Sequence, residues 1–172
     1  MKLYDFTLAP NPRRVRIFLA EKGVEVPMEQ VNTREGAQFQ PQFLAVNARG
    51  TVPTLVLDDG TVLTESVAIC RYFEETHPEP SLFGRTATQR AVIENWNRRA
   101  EIEGMTSVSD ALRNTLPMFA ERGLVGAPDG VPQIAALAER GKAMLERWLG
   151  HLDARLATTR FLAGETFSIA DI

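Results

Sequence analysis

Every stretch of this chain with strand-like character ends by Thr64, and every repeating pattern beyond Arg85 has a helical period. That asymmetry restricts the fold to an α/β half followed by an all-helical half. Residues 2–6 alternate well enough for a strand, and Val24 to Val31 reads as a second. Between them Val15, Phe18, Leu19 and Lys22 follow the i, i+3, i+4, i+7 spacing of a helix face that Gly23 stops, which makes a βαβ unit. A polar stretch, "EGAQFQPQFLAVN", reads as helical. "TLVL" and "TVLT" then flank Asp59 and Gly60 as two short strands about a turn, the pattern of a hairpin. In "ESVAICRYFEET", which follows, Ile69, Tyr72, Phe73 and Thr76 share one side of a helix. The first half therefore reads βαβ, helix, ββα.

At "HPEPSLFGRTAT" the residues Pro78, Pro80 and Gly84 interrupt periodicity as a linker does. The expected organisation is an α/β domain over residues 1–78, a linker over 79–88 and a helical domain over 89–172. One long pattern begins with Ile93, Trp96, Asn97 and Ala100, with Leu112 and Leu116 near its end. A second runs through Ile134, Leu137, Ala138, Gly141, Leu145, Trp148, Leu149, Leu152 and Leu156, a sustained apolar seam suited to packing against the first. In "ETFSIADI", Ser168 and Asp171 form a capping-box-like start, and Phe167 and Ile172 occupy the positions of a hydrophobic staple. A helix announced one turn before the last residue predicts that the helical domain is truncated here and the natural polypeptide continues.

Composition excludes several classes of function. With 44% hydrophobic and 24% charged residues in 172, the chain can bury a core. Its 19 Lys and Arg are scattered and its net charge is only -3, so no electrostatic footprint for nucleic acid is present. The start "MKLYDFTLAP" lacks a signal-peptide core and no 18 apolar residues run together, which predicts a soluble cytoplasmic protein with no membrane partner. A single cysteine, Cys70, rules out an intrachain disulfide and a CxxC pair. His77 and His151 form no metal-ligand pattern, and no metal is expected.

Three segments, "PNPRRVRIFLAEKG", "NARGTVPTLVLDDGTVLTES" and "FSIADI", together resemble the glutathione S-transferase family over the whole chain. The second is the most specific, because it combines a Val-Pro before a hairpin with Glu-Ser after it. The resemblance implies a thioredoxin-like N-terminal domain, an all-α C-terminal domain, glutathione as cosubstrate and a homodimer. It implies that a small electrophile is conjugated or reduced, and that the Val52–Pro53 bond is cis.

In that light Val52 and Pro53 become the turn against which the cysteinyl part of glutathione pairs as an added strand. Without it, Pro53 simply opens an edge strand. Glu65 and Ser66 suit the ammonium and carboxylate of the γ-glutamyl end, and equally suit plain helix capping. Gln38 and Arg49 fall where the family reaches the glycine carboxylate. In the loop "TLAPNPRRVRIF" the resemblance places the serine of theta-like and zeta-like members at Ala9, which has nothing to donate. Nu-like bacterial members carry an asparagine in the register of Asn11, which makes it the candidate catalytic residue. Beside it stand the N–H groups of Arg13 and Arg14 at the helix start, while Thr7 falls two residues too early for the threonine that nu-like members usually place at Ala9. Asn11 before Pro12 is also a good N-cap and N1 pair. Arg13, Arg14 and Arg16 crowd the same helix start, either adding positive potential or lying solvated and ion-paired. Cys70 reads as a buried, inert thiol. In the helical half Trp96, Arg99 and Met105 fall where the family builds its electrophile pocket, although Trp96 at helical spacing also suits a core.

The activity expected is addition of the glutathione thiolate to a small electrophile. Glutathione-dependent disulfide reduction is the alternative enzymatic reading, prompted by Asn11 and the absent serine. A non-catalytic binding or regulatory protein with the same fold is the third, prompted by Ala9 and the two prolines beside it.

Overall fold

β1 (Lys2–Asp5) buries Leu3 and Asp5 and turns Lys2 and Tyr4 the other way, as the period-two pattern requires. The computed structural model describes residues 1–172. α1 (Pro10–Lys22) follows, and its buried residues include Val15, Phe18, Leu19 and Lys22, the four that the spacing picked out. Gly23 closes it in the left-handed region with φ 65°, where its N–H and that of Val24 bond back to Ala20 and Leu19.

β2 is shorter than expected, Met28–Gln30 instead of Val24 to Val31. The amide of Val24 is already engaged in ending α1, and Pro27 has no N–H to offer a ladder. The stretch "EGAQFQPQFLAVN" is likewise not one helix. A 3₁₀ turn at Ala37–Phe39 is separated from α2 (Pro41–Leu44) because Pro41 holds Gln40 extended at φ -71°, ψ 145°. β3 (Thr54–Val56) and β4 (Val62–Leu63) make the hairpin, and α3 (Ser66–Thr76) follows with Ile69, Cys70 and Phe73 buried.

The sheet order is β2-β1-β3-β4, parallel between β1 and β2 and antiparallel elsewhere. Leu3 and Leu55 face each other in register and, like Val15, Phe18 and Ile69, are 0% exposed, so α1 and α3 form the core against this face. On the opposite face Tyr4 meets Phe43 of α2 edge to face at 5.6 Å. This is the thioredoxin-like arrangement. It occupies the first of two units, Met1–Pro80 with Ile172.

The second unit, Ser81–Asp171, is helical. Leu82 and Phe83 are buried within the stretch read as a linker, and a full Thr86–Gln89 capping box starts α4 (Ala87–Arg99). A π-helical turn over Ala100–Met105 joins α4 to α5 (Thr106–Arg113). Such a turn inserts an extra residue and rotates the following face. Leu112 and Leu116, read as the end of the pattern that Trp96 and Asn97 begin, emerge 48% and 37% exposed, while Asn97 is fully buried. The seam of α6 (Ala135–Leu156) is narrower than its leucines suggest: Ala138, Gly141 and Trp148 are buried, while Ile134, Leu149 and Leu156 are exposed.

At the end of the unit the predicted Ser168–Asp171 cap forms, with Asp171 Oδ2 accepting from the Ser168 N–H at 3.0 Å. Phe167 packs edge to face on Phe161 at 5.6 Å.

α5 and α6 approach closely at Gly141, where a Cβ would stand 2.7 Å from the Ala111 amide nitrogen and 2.8 Å from the Ser107 carbonyl oxygen. At Gly150, on the same helix, a Cβ would meet nothing within 4 Å. Urea unfolding should therefore separate two identical substitutions. Gly141→Ala should destabilise by about 1–3 kcal/mol through overpacking against backbone, and Gly150→Ala should stabilise by about 0.5–1 kcal/mol through helix propensity.

Candidate functional site

The turn before β3 is built around a buried asparagine that sequence reasoning passed over. Asn47 donates from Nδ2 to the Thr51 carbonyl at 2.9 Å and to Thr54 Oγ1 at 3.0 Å, and its Oδ1 accepts from the Arg49 N–H at 3.0 Å. Asn47 and Thr54 are 4% and 0% exposed. An Asx turn was the available signal, since asparagine bonds to backbone two residues on. The clamp holds residues 47–54 in a fixed loop, and within it the Val52–Pro53 peptide bond is cis, as the resemblance implies.

Gly50 sits in this loop at φ 57°, and a Cβ there would meet the Phe39 ring at 2.7 Å and the Gln38 carbonyl at 3.3 Å. The absent side chain lets the 3₁₀ turn lie directly on the loop. Gln38 is brought beside the turn in this way. It is 4% exposed, and its Oε1 is buried without a hydrogen-bond partner in the chain. A buried amide oxygen in that condition carries a desolvation cost of about 1–3 kcal/mol, which a donor from a ligand removes.

Glu65 and Ser66 lie at the start of α3, but neither caps it. Glu65 is the N-cap residue and makes no side-chain cap bond, and Ser66 is the first helical residue. The Glu65 carboxylate pairs instead with Arg49, Oε1 to Nη1 at 2.5 Å, with side chains 63% and 64% exposed. An ion pair that exposed contributes about 0–1 kcal/mol, so a charged ligand displaces it cheaply.

Asn11 does not cap α1 either, which corrects the N-cap and N1 pairing of Asn11 with Pro12. Ala9 is the N-cap, Pro10 is the first helical residue, and Asn11 stands exposed at the second. The Arg13 N–H is not available as expected, because it donates to the Ala9 carbonyl at 3.2 Å, and Ala9 donates to Phe6 at 2.9 Å. With prolines on both sides, the N–H of Asn11 is the one orphan donor left in the first turn.

The three arginines of this helix start divide. Arg13 is exposed, Arg14 acts electrostatically on Cys70, and Arg16 pairs with buried Asp5 at 2.5 Å. Cys70 lies in the core at 0% exposure. Burial pushes its thiol up to about 12, against a smaller opposing pull from Arg14.

In the second unit the structure brings together two of the three residues expected for an electrophile pocket. Arg99 Cζ lies 4.6 Å from the Trp96 ring centroid and 5.6 Å from that of Trp148. Arg155 adds a second guanidinium 5.1 Å from Trp96. Arg99 also grips Glu103 with two bonds of 2.9 and 3.2 Å, which raises the arginine's pKa and lowers the carboxylate's. Met105 is half-buried at the end of the π-turn. Arg99 borders an open cavity of 340 Å³ along α4 that Glu94, Arg98 and Ile102 also line; Trp96 and Met105 do not line it.

The family profile for the glutathione S-transferase N-terminal domain matches residues 9–76. Glutathione S-transferase 2 of Saccharomyces cerevisiae is 37% identical over the whole of this chain and 72% of its own length. The chain belongs to the glutathione S-transferase family.

Glutathione S-transferase 3 of Zea mays is 36% identical over 99% of this chain and 73% of its own length. Among solved structures, a glutathione S-transferase domain-containing protein of Marinobacter aquaeolei VT8 superposes with TM-score 0.87 at 37% identity, covering 99% of this chain and 82% of that one. Gtt2 of Saccharomyces cerevisiae gives the same TM-score at 34% identity, over 99% and 80%. The relatives are named glutathione S-transferases along the full length of this chain, and glutathione S-transferase is its activity. No helix is long and apolar enough to cross a membrane.

Cys70 takes no part in that chemistry if burial holds its proton as described. Iodoacetamide at pH 8 should leave the native protein unlabelled and add one equivalent in urea, read by mass spectrometry. The unfolded thiol ionises near ~8.5 and the folded one far above it, so rising pH favours the unfolded state. Cys70→Ala should accordingly flatten the fall in stability above about pH 9.

Proposed function

We propose that glutathione lies along the cis Val52–Pro53 turn, with its cysteinyl backbone paired to the N–H and C=O of Val52 as an added strand. The observation that carries this is Gln38, whose amide oxygen is buried and unpartnered beside that turn. In this reading the Gln38 amide oxygen accepts from the N–H of the ligand's glycine, Arg49 pairs with the glycine carboxylate, and Ser66 with Glu65 receives the γ-glutamyl end. Arg49 and Glu65 exchange their mutual ion pair for the two opposite charges of the ligand.

The sulfur then sits at the start of α1. A glutathione thiol ionises near ~8.5, and lowering that by about two units requires roughly 2.7 kcal/mol in favour of the thiolate. Asn11 offers its side-chain NH2 and its orphan backbone N–H, at the positive end of the helix dipole. The thiol gives its proton to solvent and its sulfur attacks the electrophilic carbon. For an aryl chloride the new S–C bond forms as the C–Cl bond breaks and chloride departs. No protein thiol enters the step, and no metal is invoked.

The helical unit supplies contacts to the electrophile, with Trp96, Arg99 and Met105 as candidates and Arg99 at the cavity edge favoured among them. The working form in this reading is a cytoplasmic homodimer, as is common in the family. Sedimentation equilibrium should give twice the chain mass, and a monomer at micromolar concentration would refute that part.

The decisive measurement is calorimetric titration with glutathione at two pH values on wild type and Asn11→Ala, together with pH–rate profiles on an activated aryl chloride. Wild type should bind saturably with pH-linked proton release. The variant should lose most of that release and about ten- to a hundredfold in kcat/KM, the worth of one hydrogen bond to a charged sulfur. Unchanged proton release in the variant would remove Asn11 from the mechanism.

A further inference from the structure

The loop that delivers α1 to the site is tied to the sheet by a closed ring of hydrogen bonds that the proposed ligand contacts do not use. Asp5 ends β1 and Gln30 ends β2, and the two are register partners in the parallel pair. The Asp5 carboxylate is 1% exposed, and each of its oxygens has one donor. Oδ1 accepts from Arg16 Nη1 at 2.5 Å, and Oδ2 accepts from Gln30 Nε2 at 2.6 Å.

Both donors then continue to one residue. Gln30 Oε1 accepts from the Thr7 N–H at 3.0 Å and from Thr7 Oγ1 at 2.9 Å, and Arg16 Nη2 donates to the Thr7 carbonyl at 2.8 Å. Thr7 is thus held at its nitrogen, its oxygen and its side chain. The next anchored amide is Ala9, the N-cap of α1, and Leu8 between them is 62% exposed.

We infer that Asp5, Gln30 and Arg16 are positioning residues for glutathione transfer, holding Thr7 so that the Ala9–Asn11 end of α1 is fixed against the sheet that carries the Val52 turn. This rests on the reading that the sulfur is bound at Asn11. The geometry favours positioning over plain stability because three of the five bonds end on the loop and do not lie within the sheet. Displacement of a reacting group by about 1 Å costs up to about a hundredfold in rate.

The direction of every bond in the ring is fixed by chemistry, which yields a swap test. In Asp5→Asn the new amide NH2 meets the NH2 of Gln30 or the guanidinium of Arg16, donor against donor. In Gln30→Glu a second carboxylate comes against that of Asp5. The double variant Asp5→Asn/Gln30→Glu restores every bond: the new glutamate accepts from Thr7 and from the new asparagine, whose oxygen accepts from Arg16. Net charge is unchanged.

Initial rates with glutathione and an activated aryl chloride, the pH midpoint of kcat/KM and the thermal midpoint are measured for all four proteins. Each single variant should lose about ten- to a hundredfold in kcat and move the pH midpoint upward, and the double variant should recover both to within about threefold. Single variants that lose thermal stability while keeping kcat and the pH midpoint would overturn the inference. So would a double variant that regains its thermal midpoint without regaining kcat. Failure of the Asn11 reading gives a different pattern: Asn11→Ala is silent while the swap still rescues, which leaves the ring positioning the backbone of the loop.

Discussion

The ammonium of Lys22 lies on the same α1 face as Val15, Phe18 and Leu19, and its side chain is completely shielded from solvent. It is tolerated there because three oxygens converge on it: Glu74 Oε2 of α3 at 2.5 Å, and the carbonyls of His77 at 2.9 Å and Pro80 at 2.5 Å. A buried ammonium with fewer partners is untenable, and breaking such a pair costs about 3–5 kcal/mol. The lysine thus locks the end of α1 to the end of α3 and to the last residues of the first unit. α1 spans about 20 Å at 1.5 Å per residue. It is pinned again at its midpoint by Arg16 on Asp5, so the helix acts as a strut that transfers the order of the core towards the exposed Ala9–Asn11 end.

Much of this was legible in the sequence, for identifiable reasons. The α1 face, including Lys22, followed from spacing alone, and the hairpin followed from Asp59–Gly60 between alternating residues. Backbone hydrogen bonding shortened what periodicity suggested. Val24 is apolar like a strand residue, but its N–H ends a helix. Asn11 next to Pro12 matches a helix start, yet Pro10 is itself a good first residue and moved the boundary by two. Such competition between adjacent prolines cannot be decided by residue preference, because both satisfy it. The cis bond at Val52 came from resemblance and not from physics, since a generic X-Pro bond is cis only about 5% of the time. Asn47 escaped attention although its Asx turn was readable, whereas Gln30 and Asp5 have roles that are three-dimensional. Their partners Thr7 and Arg16 are recognisable only once β1 and β2 are in register.

The helical unit was less legible because of six residues. One long helical pattern from Ile93 to Leu116 is expected, but the π-turn at Ala100–Met105 interrupts it and α5 already ends at Arg113. The turn falls where Gly104 passes Trp148, close enough that a Cβ would stand 2.6 Å from the indole nitrogen. Trp148 is 5% exposed, so the helix yields around the indole. Arg99 is left bridging two roles, stacked over Trp96 and Trp148 on one side and bordering an open cavity on the other.

The loss of a hydroxyl at Ala9 raises the question of what else at this helix start favours a thiolate. Positive side-chain potential is a weak answer, because Arg16 is neutralised by Asp5 and the exposed Arg13 is screened by solvent. The backbone is a stronger one. A helix start normally presents several N–H donors that share its partial charge. Here Pro10 and Pro12 contribute none and Arg13 is already bonded to Ala9, so the donor character of the first turn converges on Asn11. Its side-chain amide adds two more hydrogens that stay protonated at every pH. In the proposed arrangement Asn11 therefore supplies hydrogen bonds without being able to remove a proton. The acidity of the bound sulfur then depends on how well the loop is held, which makes the anchoring of Thr7 as consequential as the identity of Asn11 itself.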